Sequence, residues 1–153
     1  MRLRLAAVGR GMPGWVAAGF EEYARRLPAS CRLELEEVPD ANRGDARSNR
    51  RQEARHLLAA VTGKVHPVAL DPGGAPWSTE ELAARLQGWL AGGQDVALLV
   101  GGADGLDATV LERCPQHWSL SRLTFPHQLV RVIVAEQIYR AWSILQHHPY
   151  HRS

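Results

Sequence analysis

The chain has 153 residues, 45% hydrophobic and 22% charged, a length that falls within the usual span of about 100–200 residues for one domain. Such a composition carries a packed core and excludes a disordered chain. Eighteen basic residues against sixteen acidic ones leave a net charge of +2, which excludes a histone-like polycation while allowing a local basic patch.

Leu3 to Val8 reads as a first strand, closed by the loop Gly9-Arg10-Gly11-Met12-Pro13. A helix follows over about Gly14 to Leu27, with Val16, Phe20, Tyr23, Ala24 and Leu27 on one face, and Pro28 stops it. Arg32 to Val38 alternates apolar and charged residues as a half-buried strand does. A polar stretch, Pro39 to Asp45, leads into a second helix ending near Gly63. Val65 to Leu70 is a short apolar run, and Asp71-Pro72-Gly73-Gly74-Ala75-Pro76 reads as a loop. Ser78 or Thr79 caps a helix carrying Leu82, Leu86, Trp89 and Leu90, and Gly92-Gly93 ends it. Val96 to Val100 is apolar throughout, the pattern of a strand covered on both faces. It runs into Gly101-Gly102-Ala103-Asp104-Gly105, a short helix over Leu106 to Arg113, an element at Trp118 to Leu120, a polar loop, and a long helix from about His127 to Gln146. Strands alternating with helices predict an α/β fold with a mainly parallel sheet. No repeat, low-complexity segment or long linker divides the chain, so one domain over residues 1–153 is expected.

From Leu129 to Leu145, twelve of seventeen residues are apolar. A helix apolar nearly all round must be covered on more than one face. One sheet covers only one, so another part of the same chain or another subunit must cover the rest; a homodimer is favoured, two-fold dimers being the commonest assembly.

Cys31 and Cys114 stand alone, without a second Cys or His at metal spacing, so neither a disulfide framework nor a zinc site is expected. The N-terminal apolar run is too short for a signal peptide, and no uninterrupted apolar run exceeds five residues. These features predict a soluble protein of the reducing cytoplasm, with neither membrane nor metal partner.

Seventeen of the eighteen cations are arginine, a bias that GC-rich coding alone explains. Arginine also offers phosphate a planar, bidentate fork. Arg43, Arg47, Arg51 and Arg55 recur every four residues along the second helix, with Arg50 beside them and only Asp45 and Glu53 near enough to neutralise them. A solvated helix face and a phosphate-tracking surface fit that stripe equally. The Gly101 loop stands where open α/β sheets bind ligands, but it has neither dinucleotide nor P-loop spacing. A plain turn and a cofactor loop therefore fit it equally; the loop at Leu70-Asp71 makes a shared pocket more plausible than either alone. His147, His148 and His151 match no zinc pattern; their segment is either a frayed end or an aromatic, basic tail for RNA. No Ser-His-Asp spacing or carboxylate pair is present. On the residues alone, His127 is a structural residue at a helix start and Glu136–Arg140 an ordinary ion pair.

Several segments become specific as a set. They are Ala7-Val8-Gly9 with Met12-Pro13 and Trp15-Val16; Leu98 to Gly105; Trp118-Ser119-Leu120-Ser121; Thr124-Phe125-Pro126-His127-Gln128-Leu129-Val130-Arg131; Glu136 to Trp142; and His148-Pro149-Tyr150-His151-Arg152. Over essentially the whole chain this pattern resembles the SPOUT methyltransferase family, in particular its small bacterial members acting on large-subunit ribosomal RNA; the basic middle helix matches least. The resemblance implies an α/β sheet whose C-terminal part forms a deep trefoil knot, with S-adenosylmethionine bound there at a homodimer interface. It implies methyl transfer to N3 of a pseudouridine in 23S rRNA within the assembled ribosome. Carried over residue by residue, cofactor binding falls on Leu70, Asp71, Gly101, Gly102, Ser121, Arg122, Leu123, Thr124, Phe125 and Pro126. Catalytic candidates are His127, Arg140, His151 and Arg152, and substrate contacts Arg131, Tyr150, His151 and Arg152. Phe125, where an aliphatic residue is common, and Ala103-Asp104, where Pro-Glu is common, are the departures. The alternative is a ribosome-associated binding or assembly factor that kept the fold and lost the chemistry; intact Gly101, Ser121–Pro126 and tail segments argue against it.

Overall fold

The computed structural model describes residues 1–42 and 44–152, so Arg43, at the head of the arginine stripe, lies outside the described residues. Strands β1 (Arg2–Val8), β2 (Arg32–Val38), β3 (Val65–Ala75), β4 (Asp95–Val100) and β5 (Gln116–Trp118) form one sheet in the order β2-β1-β4-β3-β5. All four pairings are parallel, as a crossover-linked α/β chain requires. The helices are α1 (Gly14–Ala24), α2 (Ala46–Ala59), α3 (Thr79–Gly92), α4 (Ala108–Arg113) and α5 (His127–Leu145).

Alternation along the strands sorts the core into two layers. Leu3, Leu5 and Ala7 of β1 pack with Val68, Leu98 and Val100 against Phe20, Leu86, Val134 and Ile138 of α1, α3 and α5. Ala6 and Val8 point the other way, packing with Ala69 and Leu99 against Ala54, Leu57 and Val110 of α2 and α4. The sheet is thus covered on both faces, and β4 is buried from Val96 to Val100. In α5 the buried residues include Val134, Ala135, Ile138 and Tyr139, while Val132, Ile133, Trp142 and Ile144 remain half-buried.

Several predicted boundaries move, each for a local reason. Helix α1 ends at Ala24 because the next amides bond three residues back, Arg26 to Tyr23 and Leu27 to Ala24. Helix α2 stops at Ala59 for the same reason, with Ala60 bonded to Leu57 and Val61 to Leu58. Ser78 and Glu81 close a reciprocal capping box on α3, and Gly93 ends it in the left-handed region at φ +70°. Asp107 caps α4, which starts at Ala108 because Leu106 is committed to the core. The element near Trp118 is β5 at Gln116–Trp118 rather than a segment from Trp118 to Leu120.

The largest correction concerns Asp71 to Ala75, read from sequence as loop. The strand β3 bulges there and returns: both Leu70 and Ala75 pair with Trp118, and Ser119 donates its amide to the Ala75 carbonyl at 2.9 Å. Gly74 makes this close return possible, since a Cβ there would lie 2.6 Å from the His117 carbonyl carbon.

Candidate functional site

Because β3, β4 and β5 are parallel neighbours, their carboxyl ends open on one edge of the sheet. The bulge of β3 at Asp71-Pro72 and the segments after β4 and β5, from Gly101 and Ser119, enclose a cavity of about 450 Å³. That lies within the roughly 300–1,000 Å³ typical of small-molecule sites. Nine of the ten residues assigned to the cofactor loops line it: Leu70, Asp71, Gly101, Gly102, Ser121, Arg122, Leu123, Thr124 and Phe125. Pro126 does not; it is the residue from which α5 begins. The sequence reasoning did not single out Val100, Leu106, Trp118, Leu120 and Val130, apolar side chains that also face the cavity.

The loop after β4 is tightly built. Gly105, at φ +80°, donates its amide to the Gly102 carbonyl at 3.1 Å. A Cβ on Gly101 would lie 2.5 Å from the Gly105 carbonyl oxygen, so backbone meets backbone where any side chain would intrude. The loop after β5 is organised by its serines: Ser119 Oγ donates to the Ser121 carbonyl at 3.2 Å, and Ser121 Oγ accepts the Leu123 amide at 3.0 Å. Leu123 is left 72% exposed at the lip. A second cavity of about 290 Å³ shares Trp118, Leu120 and Phe125 with the first, beneath the Trp77–Trp118 stack.

Helix α2 supports the Gly101 loop from below. Asn49 Nδ2 lies 3.5 Å from Asp104 Oδ2, and the Gly102 Cβ position is 3.5 Å from Glu53 Oε2. Glu53 is 4% exposed; its Oε2 accepts the Ala41 amide at 3.0 Å, and Oε1 has no partner among the described residues. Burial raises its pKa above the usual carboxylate value, with Asp104 and Asp40 acting in the same direction. The sequence reading used Glu53 as a counter-charge for the arginine stripe. The structure turns it inward instead.

The remaining candidates fall into three places. His127 is exposed at the start of α5 and lines the main cavity. Arg131, expected at the RNA, is fully buried: it donates to Glu37 Oε2 at 2.6 Å and to the Gly9 carbonyl at 2.8 Å. Its guanidinium ties α5 to the carboxyl ends of β1 and β2, and burial keeps it from any RNA surface. Arg140, Tyr150 and His151 gather where the tail folds back on α5. Arg140 Nε donates to Glu136 at 2.7 Å and its guanidinium lies 4.8 Å from the Tyr150 ring centre. His151 Nδ1 faces Arg140 Nη1 at 3.3 Å, and its Nε2 faces Glu80 at 3.1 Å. With arginine a donor only, those partners fit an imidazole accepting at Nδ1 and donating at Nε2. Burial, then Glu136, pushes the Tyr150 phenol up to about 12. Neither Arg140, Tyr150, His151 nor the exposed Arg152 lines the main cavity. So His127 joins the cofactor-loop residues, and the tail forms a separate polar cluster.

Among the described residues there is no group of three potential metal ligands and no helix long and apolar enough to cross a membrane. Both cysteines are buried and unbonded.

Comparison with known proteins gives one consistent result. Residues 1–151 match the family model described as "Predicted SPOUT methyltransferase". The chain is 55% identical over 155 aligned positions to the protein named "Ribosomal RNA large subunit methyltransferase H" of Methylococcus capsulatus, covering 99% of this chain and 100% of that one. It is 54% identical to the protein of the same name from Alkalilimnicola ehrlichii, covering 100% of both. Among solved structures, a putative methylase family protein from Neisseria gonorrhoeae superposes with a TM-score of 0.57 at 12% identity, over 95% of this chain and 92% of that one.

Proposed function

The chain belongs to the SPOUT methyltransferase family, and from that membership and its cavity we propose that it is an S-adenosylmethionine-dependent methyltransferase of large-subunit ribosomal RNA. The finer reading is methylation of N3 of a pseudouridine in 23S rRNA, within the assembled ribosome, by a homodimer in the cytoplasm. The observation that carries the cofactor-dependent methyltransferase reading is the meeting of the β3 bulge with the segments after β4 and β5 in one cavity.

The cavity suits S-adenosylmethionine, the family's methyl donor. Leu70, Val100, Leu106 and Trp118 offer apolar walls to a planar adenine, and the Gly101 cradle brings peptide groups close enough to bond its edge. Asp71 and Asp104 face a ligand that carries a sulfonium and an ammonium. When bound, this donor supplies an activated methyl group on positively charged sulfur. The protein's part is then chiefly alignment, because in-line displacement needs donor and acceptor held in one geometry. The N3 proton must also leave, and His127 is the only imidazole on the cavity wall among the described residues. It accepts that proton. Arg140, His151 and Arg152 hold phosphate or developing negative charge on the RNA, with Tyr150 as a stacking face. The knotted threading belongs to this reading, as does the homodimer, which would cover the half-buried row of α5.

The test uses purified protein, isotope-labelled S-adenosylmethionine, and three RNA sources from cells lacking the enzyme: assembled ribosomes, free large subunits and bare 23S rRNA. Label on one pseudouridine, mainly in assembled ribosomes, is the expected result. Cofactor binding without label on any RNA would refute the RNA assignment, and absence of cofactor binding would favour the binding-factor alternative. In single turnover, His127→Ala should slow transfer far more than it weakens ribosome binding; an unchanged rate would remove its role.

A further inference from the structure

Several surface arginines of this chain are matched to carboxylates. Arg2 lies 3.6 Å from Asp95, Arg4 4.0 Å from Glu36, Arg26 2.9 Å from Glu22 and Arg32 3.7 Å from Glu34. The outer face of α2 gathers three arginines without such pairs at four-residue spacing. Arg47, Arg51 and Arg55 are exposed, and among the described residues no carboxylate stands within ion-pair distance of any of them. The two acids nearest in sequence are otherwise engaged. Asp45 accepts the Ser48 amide at 2.8 Å as the helix cap, and Glu53 is turned into the core.

Four-residue spacing puts the three guanidinium stems on one face, about 6 Å apart along the helix axis. Asp45 stands near Arg47 and Asp107 near Arg51 without pairing to them, so three neighbouring planar forks still repel one another and favour a repeating anion laid along them. The same helix reaches the cavity: Asn49 meets Asp104 as described, and Arg50 Nη1 lies 3.5 Å from the Asp104 carbonyl oxygen. An anion held on α2 is therefore held beside the Gly101 loop.

We propose that the outer face of α2, through Arg47, Arg51 and Arg55, is a docking surface for the phosphate backbone of ribosomal RNA. The inference rests on the rRNA reading above and locates where that RNA is gripped. A sugar–phosphate chain supplies the repeated charge these side chains lack. Affinity from this face should depend steeply on salt, through release of counterions from the RNA.

The test compares wild type with the triple variant Arg47→Gln/Arg51→Gln/Arg55→Gln, since glutamine keeps helix propensity and removes only charge. Binding to protein-free 23S rRNA and to unmodified ribosomes is measured from low to physiological salt, alongside methyl transfer and S-adenosylmethionine affinity. The proposal expects the slope of log affinity against log salt to shrink by about 2 to 3, close to one per lost phosphate contact. KM for ribosomes should rise by roughly tenfold or more at low salt, with kcat and cofactor affinity unchanged. Arg47→Lys/Arg51→Lys/Arg55→Lys should restore the slope, and Arg2→Gln/Arg4→Gln/Arg32→Gln, an equal loss of charge at ion-paired sites, should leave it alone. A triple glutamine variant with wild-type slope and KM would overturn the proposal and make the stripe a solvated face. A loss seen with ribosomes but not with bare 23S rRNA would overturn it in favour of an acidic protein partner. If wild type binds RNA with the expected slope yet transfers no methyl group, the docking surface stands and the activity reading fails.

Discussion

Replacing Gly101 by alanine tests the cavity at its tightest point. The new methyl would lie 2.5 Å from the Gly105 carbonyl oxygen and 2.6 Å from its carbon, both backbone atoms. No side chain can swing aside, so the loop that Gly105 closes onto Gly102 must itself shift. Overpacking of this kind costs about 1–3 kcal/mol. If the loop must return to its native place to receive the cofactor, that cost converts to a loss of affinity of roughly 5- to 150-fold. Even without ligand the melting temperature should fall by about 2–4 °C for each kcal/mol. Calorimetric titration with S-adenosylmethionine and thermal unfolding measure the two effects. Gly88→Ala is the matched control: nothing lies within 4 Å of its Cβ position in the interior of α3, and alanine there should stabilise by about 0.5–1 kcal/mol. A Gly101→Ala protein with wild-type melting and wild-type cofactor affinity would refute the reasoning, because it would mean the loop yields freely.

Arg131→Met should destabilise the fold by about 3 kcal/mol, the lower end for breaking a buried pair, because Glu37 keeps 27% of its surface in solvent; chemical denaturation measures it, and a loss below 1 kcal/mol would show that the tie carries no stability. For Glu53 the sign follows from its raised pKa. Below about pH 4.5 the group is protonated whether folded or unfolded and costs nothing. As pH rises through the folded value, the native state must hold a poorly solvated ion and stability is lost. Glu53→Gln should therefore melt like wild type near pH 4 and above it near pH 8; a difference that does not change with pH would contradict the account. Burial pushes the thiols of Cys31 and Cys114 up to about 11, so both should resist alkylation at pH 8 until the protein is denatured. Rapid labelling of the native protein would place one of them at the surface.

Much of the architecture was legible because its signals are local. The apolar run of β4, the Ser78–Glu81 cap and the Gly93 stop each lie within a few residues of what they determine. What stayed hidden depends on partners distant in sequence. Pro72, Gly73 and Gly74 read as loop because none favours a strand; only the later arrival of Trp118 and Ser119 draws Ala75 back into the sheet. Arg131 was assigned to the RNA by resemblance alone, and its burial stayed hidden because its partner Glu37 lies 94 positions away. Glu53 was invisible as a buried acid, for a carboxylate among arginines looks like their counter-charge, and nothing nearby marks which way it turns. The cavity-lining positions came from resemblance, since glycine spacing alone did not distinguish a cofactor loop from a turn.

The strand order has a consequence for how the molecule comes into being. Strand β4 lies between β1 and β3, so the first 94 residues contain no strand to bridge them, and the chain cannot knit its sheet until residue 100 has been made. The helix that packs on both α1 and α3 is α5, which follows all five strands in the chain. Until β4 is made, a nascent chain would carry one two-stranded fragment, β1 with β2, and an unpaired β3, all with exposed edges. Folding dominated by such distant pairings is intrinsically slow and aggregation-exposed. Closure of this fold should therefore be a single late step, taken when the middle of the sheet and α5 can be fitted together.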